Sequence, residues 1–252
     1  VLFLLAAAVL AAVLVRGLAG LPGFGHFHGV DGRTLDRVTV RERHATDVIT
    51  AINFDYRGLD TMGEEFILFA ASIGLVVLLR EQRADRDRDR DRDRDRAARG
   101  PAAGPGEDDR DPLLALVGRW SVAPILVLGV YVVTHGQLTP GGGFQGGVVL
   151  ASALITLVIA GGGRAPRTIR GHGALEALEA LGSGGYVAIG VAGLIAGLQF
   201  LSNFLPIGKT GALLSSGTIT SLSTVVGLEV AGAIALIVAE FAEHNRSAGV
   251  AR

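Results

Sequence analysis

Apolar residues fall in blocks along this chain, divided by short polar or glycine-rich stretches. The blocks run Val1 to Leu18, Phe66 to Leu79, Leu116 to Val133, Val148 to Gly162, Tyr186 to Leu201 and about Ser221 to Phe241. A helix crosses a bilayer with about 20 mostly apolar residues at ~1.5 Å rise each. With their small flanking residues the blocks approach that length. The pattern predicts an all-α, polytopic membrane protein of about six transmembrane helices, two before a charged segment and four after it. The first block has the length of a signal-peptide core, but its basic residue, Arg16, follows the run instead of preceding it, so it reads as a span. Two shorter patterns have helical period. Val48, Ile49, Ile52 and Tyr56 predict a short amphipathic helix along the membrane surface. Leu175, Leu178 and Leu181 with Glu176 and Glu179 predict another.

Between Arg80 and Pro112 the pattern vanishes. Asp85-Arg86 repeats through Asp95-Arg96 and is followed by a Gly/Pro/Ala stretch. Alternating opposite charges with almost no apolar residue cannot bury a core, so this segment reads as disordered or as a fluctuating charged helix joining two parts that fold separately and dock. The divisions are then 1–80, a module of two spans; 81–112, the linker; 113–246, a four-span domain; and 247–252, a tail. Each linker arginine has an aspartate neighbour and the net charge is -1, which argues against a nucleic-acid partner. The chain has no cysteine, so thiolate metal sites and iron–sulfur ligation by its own residues are excluded. His26 and His28 share a loop with no third ligand nearby, and the reading calls for no metal and no cofactor.

Candidate chemistry lies where the blocks are interrupted. Thr134 to Gly147 includes Pro140, Gly141, Gly142, Gly143, Gly146 and Gly147, with His135, Gln137 and Gln145 as polar groups. Proline and glycine in this density make a tight connection between antiparallel spans, and the glycines allow a neighbouring helix to approach. Glu64 precedes an apolar run. Thr61-x-x-Glu64 has the form of a capping box at a helix start, with Asp60 beside it as turn chemistry, or Glu64 is a membrane carboxylate that exchanges a proton or cation. Glu229 lies in the middle of the last block, where an ionisable group costs a few kcal/mol and is a functional candidate by default. A structural partner such as His135 or Lys209 is the plainer alternative. Glu240 and Glu243 lie near the aqueous end, where solvation suffices.

The stretch His135-Gly136 followed by Pro140-Gly141-Gly142-Gly143-Phe144-Gln145-Gly146-Gly147 closely resembles a motif of the MnhB subunit of the Mrp-type, or Mnh-type, multisubunit sodium/proton antiporters. The resemblance covers roughly Leu113 to Asn245. Asp55-Tyr56-Arg57-Gly58-Leu59-Asp60-Thr61-Met62-Gly63-Glu64 is similar to the C-terminal part of the large, A-type subunit of the same antiporters, and to a small subunit of membrane-bound hydrogenases. The resemblance implies that Glu64 takes the place of the family's ion-translocating carboxylate, with Glu229 a looser match. Asp60, Thr61, His135 and Gln145 would be supporting polar groups. It also implies a non-catalytic, ion-pathway-forming subunit of a monovalent cation/proton antiporter, carrying Na+ and H+ in a prokaryotic cell membrane. Large proton-pumping and small membrane subunits would be its partners. A redox-driven complex of the hydrogenase type and a purely structural scaffold remain open as alternatives.

The basic residues orient the spans. The linker, the Arg164 to Arg170 loop and the tail with Arg246 and Arg252 are expected in the cytoplasm, and the glycine-rich turn and the Lys209 loop outside.

Overall fold

The structure is a computed structural model that describes residues 2–21, 29–97, 112–161 and 173–249. His26, His28, the basic loop from Arg164 to His172, most of the Gly/Pro/Ala part of the linker and the last residues of the tail lie outside the described residues. The chain divides into two compact units, Val1–Val38 and Thr39–Arg252. The first contains α1 (Leu2–Ala19) and the start of α2 (Val30–Arg43). The polar stretch that follows the first block is thus helical over α2. It has few apolar residues, Val30, Leu35, Val38 and Val40, so it does not stand out in the sequence as an apolar block.

The second unit is a helical bundle. Its elements are α3 (Val48–Ala51), which runs directly into a π-helical turn (Ile52–Tyr56), then α4 (Gly58–Ala97), α5 (Pro112–Thr134), α6 (Gly143–Gly161), α7 (Gly173–Ile195) and α8 (Thr218–Gly249). Among the described residues, four helical segments are long and apolar enough to cross a membrane: Gly58–Gln82, Leu116–Thr134, Gly173–Ile195 and Thr218–His244. Leu4–Ala19 and Gly143–Leu157 are shorter apolar helices. The all-α membrane architecture therefore stands, with two of the six expected spans short.

Helix α8 is the axis of the unit. Two-thirds of its apolar window, 67%, is buried, whereas for α5 the figure is 11%, so α5 is left to face lipid or another protein. The glycine-rich motif explains how α6 comes close to α8. A Cβ built on Gly143 would lie 2.7 Å from Val226 Cβ, and one on Gly147 2.6 Å from Val230 Cβ. One residue round the helix, a Cβ on Gly146 would lie 2.7 Å from the Val133 backbone nitrogen in α5. The motif thus packs α6 against two neighbours at once. The turn before it needs glycine for a second reason, since Gly142 has φ 116°, in the region that L side chains rarely adopt.

Loops close one end of the bundle. The backbone carbonyl of Gln137 accepts from Thr46 N (2.9 Å) and Asp47 N (3.1 Å), and its side-chain Nε2 donates to the Leu213 carbonyl (2.7 Å). Asn203 Oδ1 accepts from Thr218 N (2.9 Å) and caps α8. The segment from Val48 to Tyr56 belongs to this end. It does not lie along a surface as its periodicity suggested, because Thr50, Ala51 and Phe54 are buried and only Ile49 is strongly exposed. Its apolar face is covered by Tyr186, Leu201, Ile219 and Leu222 in one core cluster.

Helix α4 continues as a helix through the Asp/Arg repeat to Ala97. Of the two alternatives for the charged segment, helix holds over that part.

Candidate functional site

Three helices turn polar residues towards a shared interior. At 100° per residue, Thr61, Glu65 and Ser72 fall on one face of α4. Glu179, Ser183 and Tyr186 share a face of α7, and Ser223, Glu229 and Glu240 lie on the inward side of α8. All of these side chains are buried. Glutamates in such a place are unusual, because an unpaired carboxylate loses its hydration and gains nothing in exchange.

At the centre Glu65 and Glu229 face each other across the α4–α8 contact, 1% and 0% exposed. None of their four carboxylate oxygens makes a hydrogen bond of normal geometry. The backbone approach that places them is specific. A Cβ on Gly182 of α7 would lie 2.5 Å from the Glu229 nitrogen, and one on Gly232 of α8 would lie 2.7 Å from the Glu179 nitrogen. Each helix therefore offers a glycine to the glutamate-bearing backbone of the other. Ser183 lies against Glu229 while its hydroxyl donates to the Glu179 carbonyl at 3.0 Å.

Glu179 is 1% exposed, with Ser72 of α4 against it. Below this pair, Val76, Leu175, Ala235, Leu236 and Ala239 form an apolar layer. Beyond the layer Arg80 links three helices. Its Nη2 is 2.6 Å from Glu176 Oε1 on α7, and its Nε is 3.1 Å from Glu240 Oε1 on α8. Glu240 is fully buried there, contrary to the expectation that water would solvate it, because α8 carries it in against α4 where Arg80 meets it.

At the other end Tyr186 closes the column, donating its hydroxyl to the Gly58 carbonyl at 2.8 Å. An open cleft of about 960 Å³ lies above, lined by Arg43, Asp55 to Asp60 and Leu198 to Asn203. Arg43 pairs with Asp55 and lies 5.5 Å from the centre of the Tyr56 ring. Partial burial pushes its guanidinium pKa down, but the hydrogen bond and charge of Asp55 outweigh that and leave it raised, so Arg43 is a fixed cation at the mouth.

The sequence-derived candidates separate in space. Glu229 is at the centre of the column. Thr61 is buried one turn above Glu65 and donates to the Asn53 carbonyl at 2.7 Å. It lies inside α4, which begins at Gly58, so Thr61 is not the cap residue of a capping box. Glu64 is exposed on the outer side of α4, about 100° round from Glu65. Asp60 is exposed and bonded to Arg57 Nε at 2.6 Å. His135 Nδ1 donates to the Tyr131 carbonyl (3.0 Å) and its ring stacks on the Tyr131 ring, and Gln145 is exposed. Glu229 meets Glu65 and Ser183, the partners that the sequence did not single out. Glu65, Ser72, Glu179 and Arg80 were equally missed. Their signal was present as polar residues recurring on one helical face, but the sequence pattern reads the stretch with Leu175, Leu178 and Leu181 as a short amphipathic helix separate from the span that starts at Tyr186. In the structure α7 is continuous from Gly173, which puts Glu179 inside it.

Residues 113–236 match the family described as a domain related to the MnhB subunit of the Na+/H+ antiporter. An uncharacterized protein of Methanocaldococcus jannaschii is 30% identical over 229 residues, 88% of this chain and 86% of its own length. A probable K+/H+ antiporter A/B subunit of Rhizobium meliloti is 27% identical over 131 residues, 49% of this chain but 13% of that protein. Among solved structures, a chain of the archaeal membrane-bound sulfane sulfur reductase, a respiratory membrane complex, superposes with TM-score 0.72 and 30% identity, covering 95% of this chain and 96% of that one. A chain of the Mrp complex of Dietzia sp. DQ12-45-1b shares the fold, with TM-score 0.67 and 22% identity over 94% of this chain and 25% of that one.

Proposed function

Because the chain belongs to the family built on the domain related to the MnhB subunit of the Na+/H+ antiporter, we propose that it forms an ion pathway in which Glu65 and Glu229 hold the transported ion. At the coarser level it is a membrane subunit of the class found in Mrp-type antiporters and related respiratory complexes. The observation that carries the proposal is the face-to-face burial of two carboxylates with no cation of the described residues against them. Such a pair binds a proton or a desolvated monovalent cation, and the two compete for it, which is the elementary requirement of exchange. Arg80 is held on the far side of the apolar layer and does not neutralise the pair.

In this reading the chain works in a prokaryotic cell membrane beside large proton-pumping and small membrane subunits, and exchanges sodium for protons. Glu64, outward on α4, contributes to the path where another protein of the complex covers that face, and Asp60, His135 and Gln145 are supporting polar groups near the loop end. A second reading, supported by likeness to the sulfane sulfur reductase chain along almost the whole of both, places the same pathway in a complex driven by electron transfer on other subunits.

The test is sodium-dependent proton exchange in inverted vesicles containing the whole complex, with assembly followed on native gels. Glu229→Gln and Glu65→Gln should each assemble and lose exchange. Exchange at the parental rate in both variants would remove the pair from the path. Exchange by the parent only when an electron donor is supplied would favour the redox-driven complex.

A further inference from the structure

A third carboxylate lies on the same line as the pair and takes no part in it. Glu179 is 1% exposed, and its Oε1 makes no hydrogen bond of normal geometry. Its surroundings are built from three helices. Helix α4 supplies Ser72, fully buried, whose Oγ also makes no hydrogen bond of normal geometry. Helix α8 supplies Glu229 and the glycine surface at Gly232, and α7 itself supplies Ser183 and, towards the inner end, Glu176. Gly182 opposes Glu229 and Gly232 opposes Glu179, so the two glutamates are offset by about 4.5 Å along the helix axes, three residues at 1.5 Å. No group of three acidic or histidine side chains among the described residues converges closely enough to hold one metal ion. Glu179 is therefore a separate position beside the pair, not a third ligand within it. It is the last buried carboxylate of its helix before the apolar cluster of Val76, Leu175 and Leu236.

We propose that Glu179 is a proton-holding station that receives the proton displaced when a monovalent cation enters between Glu65 and Glu229. The inference rests on the pair being the ion site. In the transfer, the O–H bond of the protonated member of the pair breaks and an O–H bond forms on the Glu179 carboxylate, with Ser183 and Ser72 as the neighbouring hydroxyls. Before entry the pair holds one proton and Glu179 none. Afterwards the pair holds the cation and Glu179 the proton, so total charge changes only by that of the cation. The parked proton then leaves to the side from which the cation came, and a proton from the other side reloads the pair as the cation departs, so one proton is exchanged for one cation.

The experiment is infrared difference spectroscopy of the assembled complex on a sodium jump, read in the band of protonated carboxyl groups. The parent should lose one band, absent in Glu229→Gln, and gain another that is absent in Glu179→Gln and displaced in Glu179→Asp. Exchange in Glu179→Gln should fall on the order of a hundredfold, the usual worth of a positioned proton-transfer group. Loss of the pair's band with no gain at Glu179, or parental exchange in Glu179→Gln, would overturn the station while leaving the pair intact. Absence of both bands in the parent would overturn the pair and the station together. If Glu179→Gln fails to assemble, the parent and Glu179→Asp spectra still decide the matter.

Discussion

The position of Glu229 depends on a missing methyl group. With a Cβ on Gly182, α7 would collide with the Glu229 backbone, and neither partner is a flexible side-chain end that could move aside. Gly182→Ala should therefore destabilise the assembled complex by about 1–3 kcal/mol, the usual cost of overpacking, measured as a lowered Tm of the purified complex. Gly184, with nothing within 4 Å of its Cβ position, is the control and should tolerate alanine. Tyr186→Phe removes the bond to the Gly58 carbonyl and should cost about 1 kcal/mol, because the carbonyl is left buried without that donor. Adjacent residues show where sequence reasoning stops at this scale. Glu64 and Glu65 are equivalent in composition and pattern, and motif resemblance points to the first. The helix phase alone turns the second inward, and that phase is visible only through Thr61 and Ser72, which share its face. Glu229 was legible because a carboxylate in a long apolar run needs no phase to stand out.

At the scale of elements, the inner ends of α4, α7 and α8 are joined by one side chain. Arg80→Gln leaves Glu240 buried without the guanidinium. Arg80 is half exposed, so the expected loss is moderate, about 2 kcal/mol. Adding Glu240→Gln should recover much of it, since it also removes the buried charge that Arg80 helps to offset. Chemical denaturation of the complex with the three variants checks both signs. The glycine motif of α6 reads from the sequence as a tight turn with a close-packing face, and the contacts with Val226, Val230 and Val133 give that face its partners. The segment at Val48 to Tyr56 departs from its sequence pattern for a physical reason. A short amphipathic period is the same whether the apolar side meets lipid or a loop end, and here Leu201 and Ile219 reach it from sequence far away.

For the whole molecule, the two parts on either side of the linker share a core. Helix α4 brings Glu65 to α8, Val76 to the cluster with Leu175 and Leu236, and Arg80 to Glu176 and Glu240. Residues 1–97 and 112–252 produced as two chains should therefore associate in the membrane and co-purify, and their complex should retain exchange. Separation of the halves would mean that covalent linkage, not packing, brings Glu65 to Glu229. The membrane class and the helical content could be read in advance because hydropathy is a local signal. Contacts between the parts are not local, and so the column of carboxylates emerged only in the fold.

The most direct test is sodium protection of the two central carboxylates against a hydrophobic carbodiimide, read peptide by peptide in the intact parental complex. If Glu65 and Glu229 hold one ion between them, rising sodium should suppress modification of both along a single curve with one midpoint. Two different midpoints, or modification that sodium leaves unchanged at either residue, would contradict a shared site.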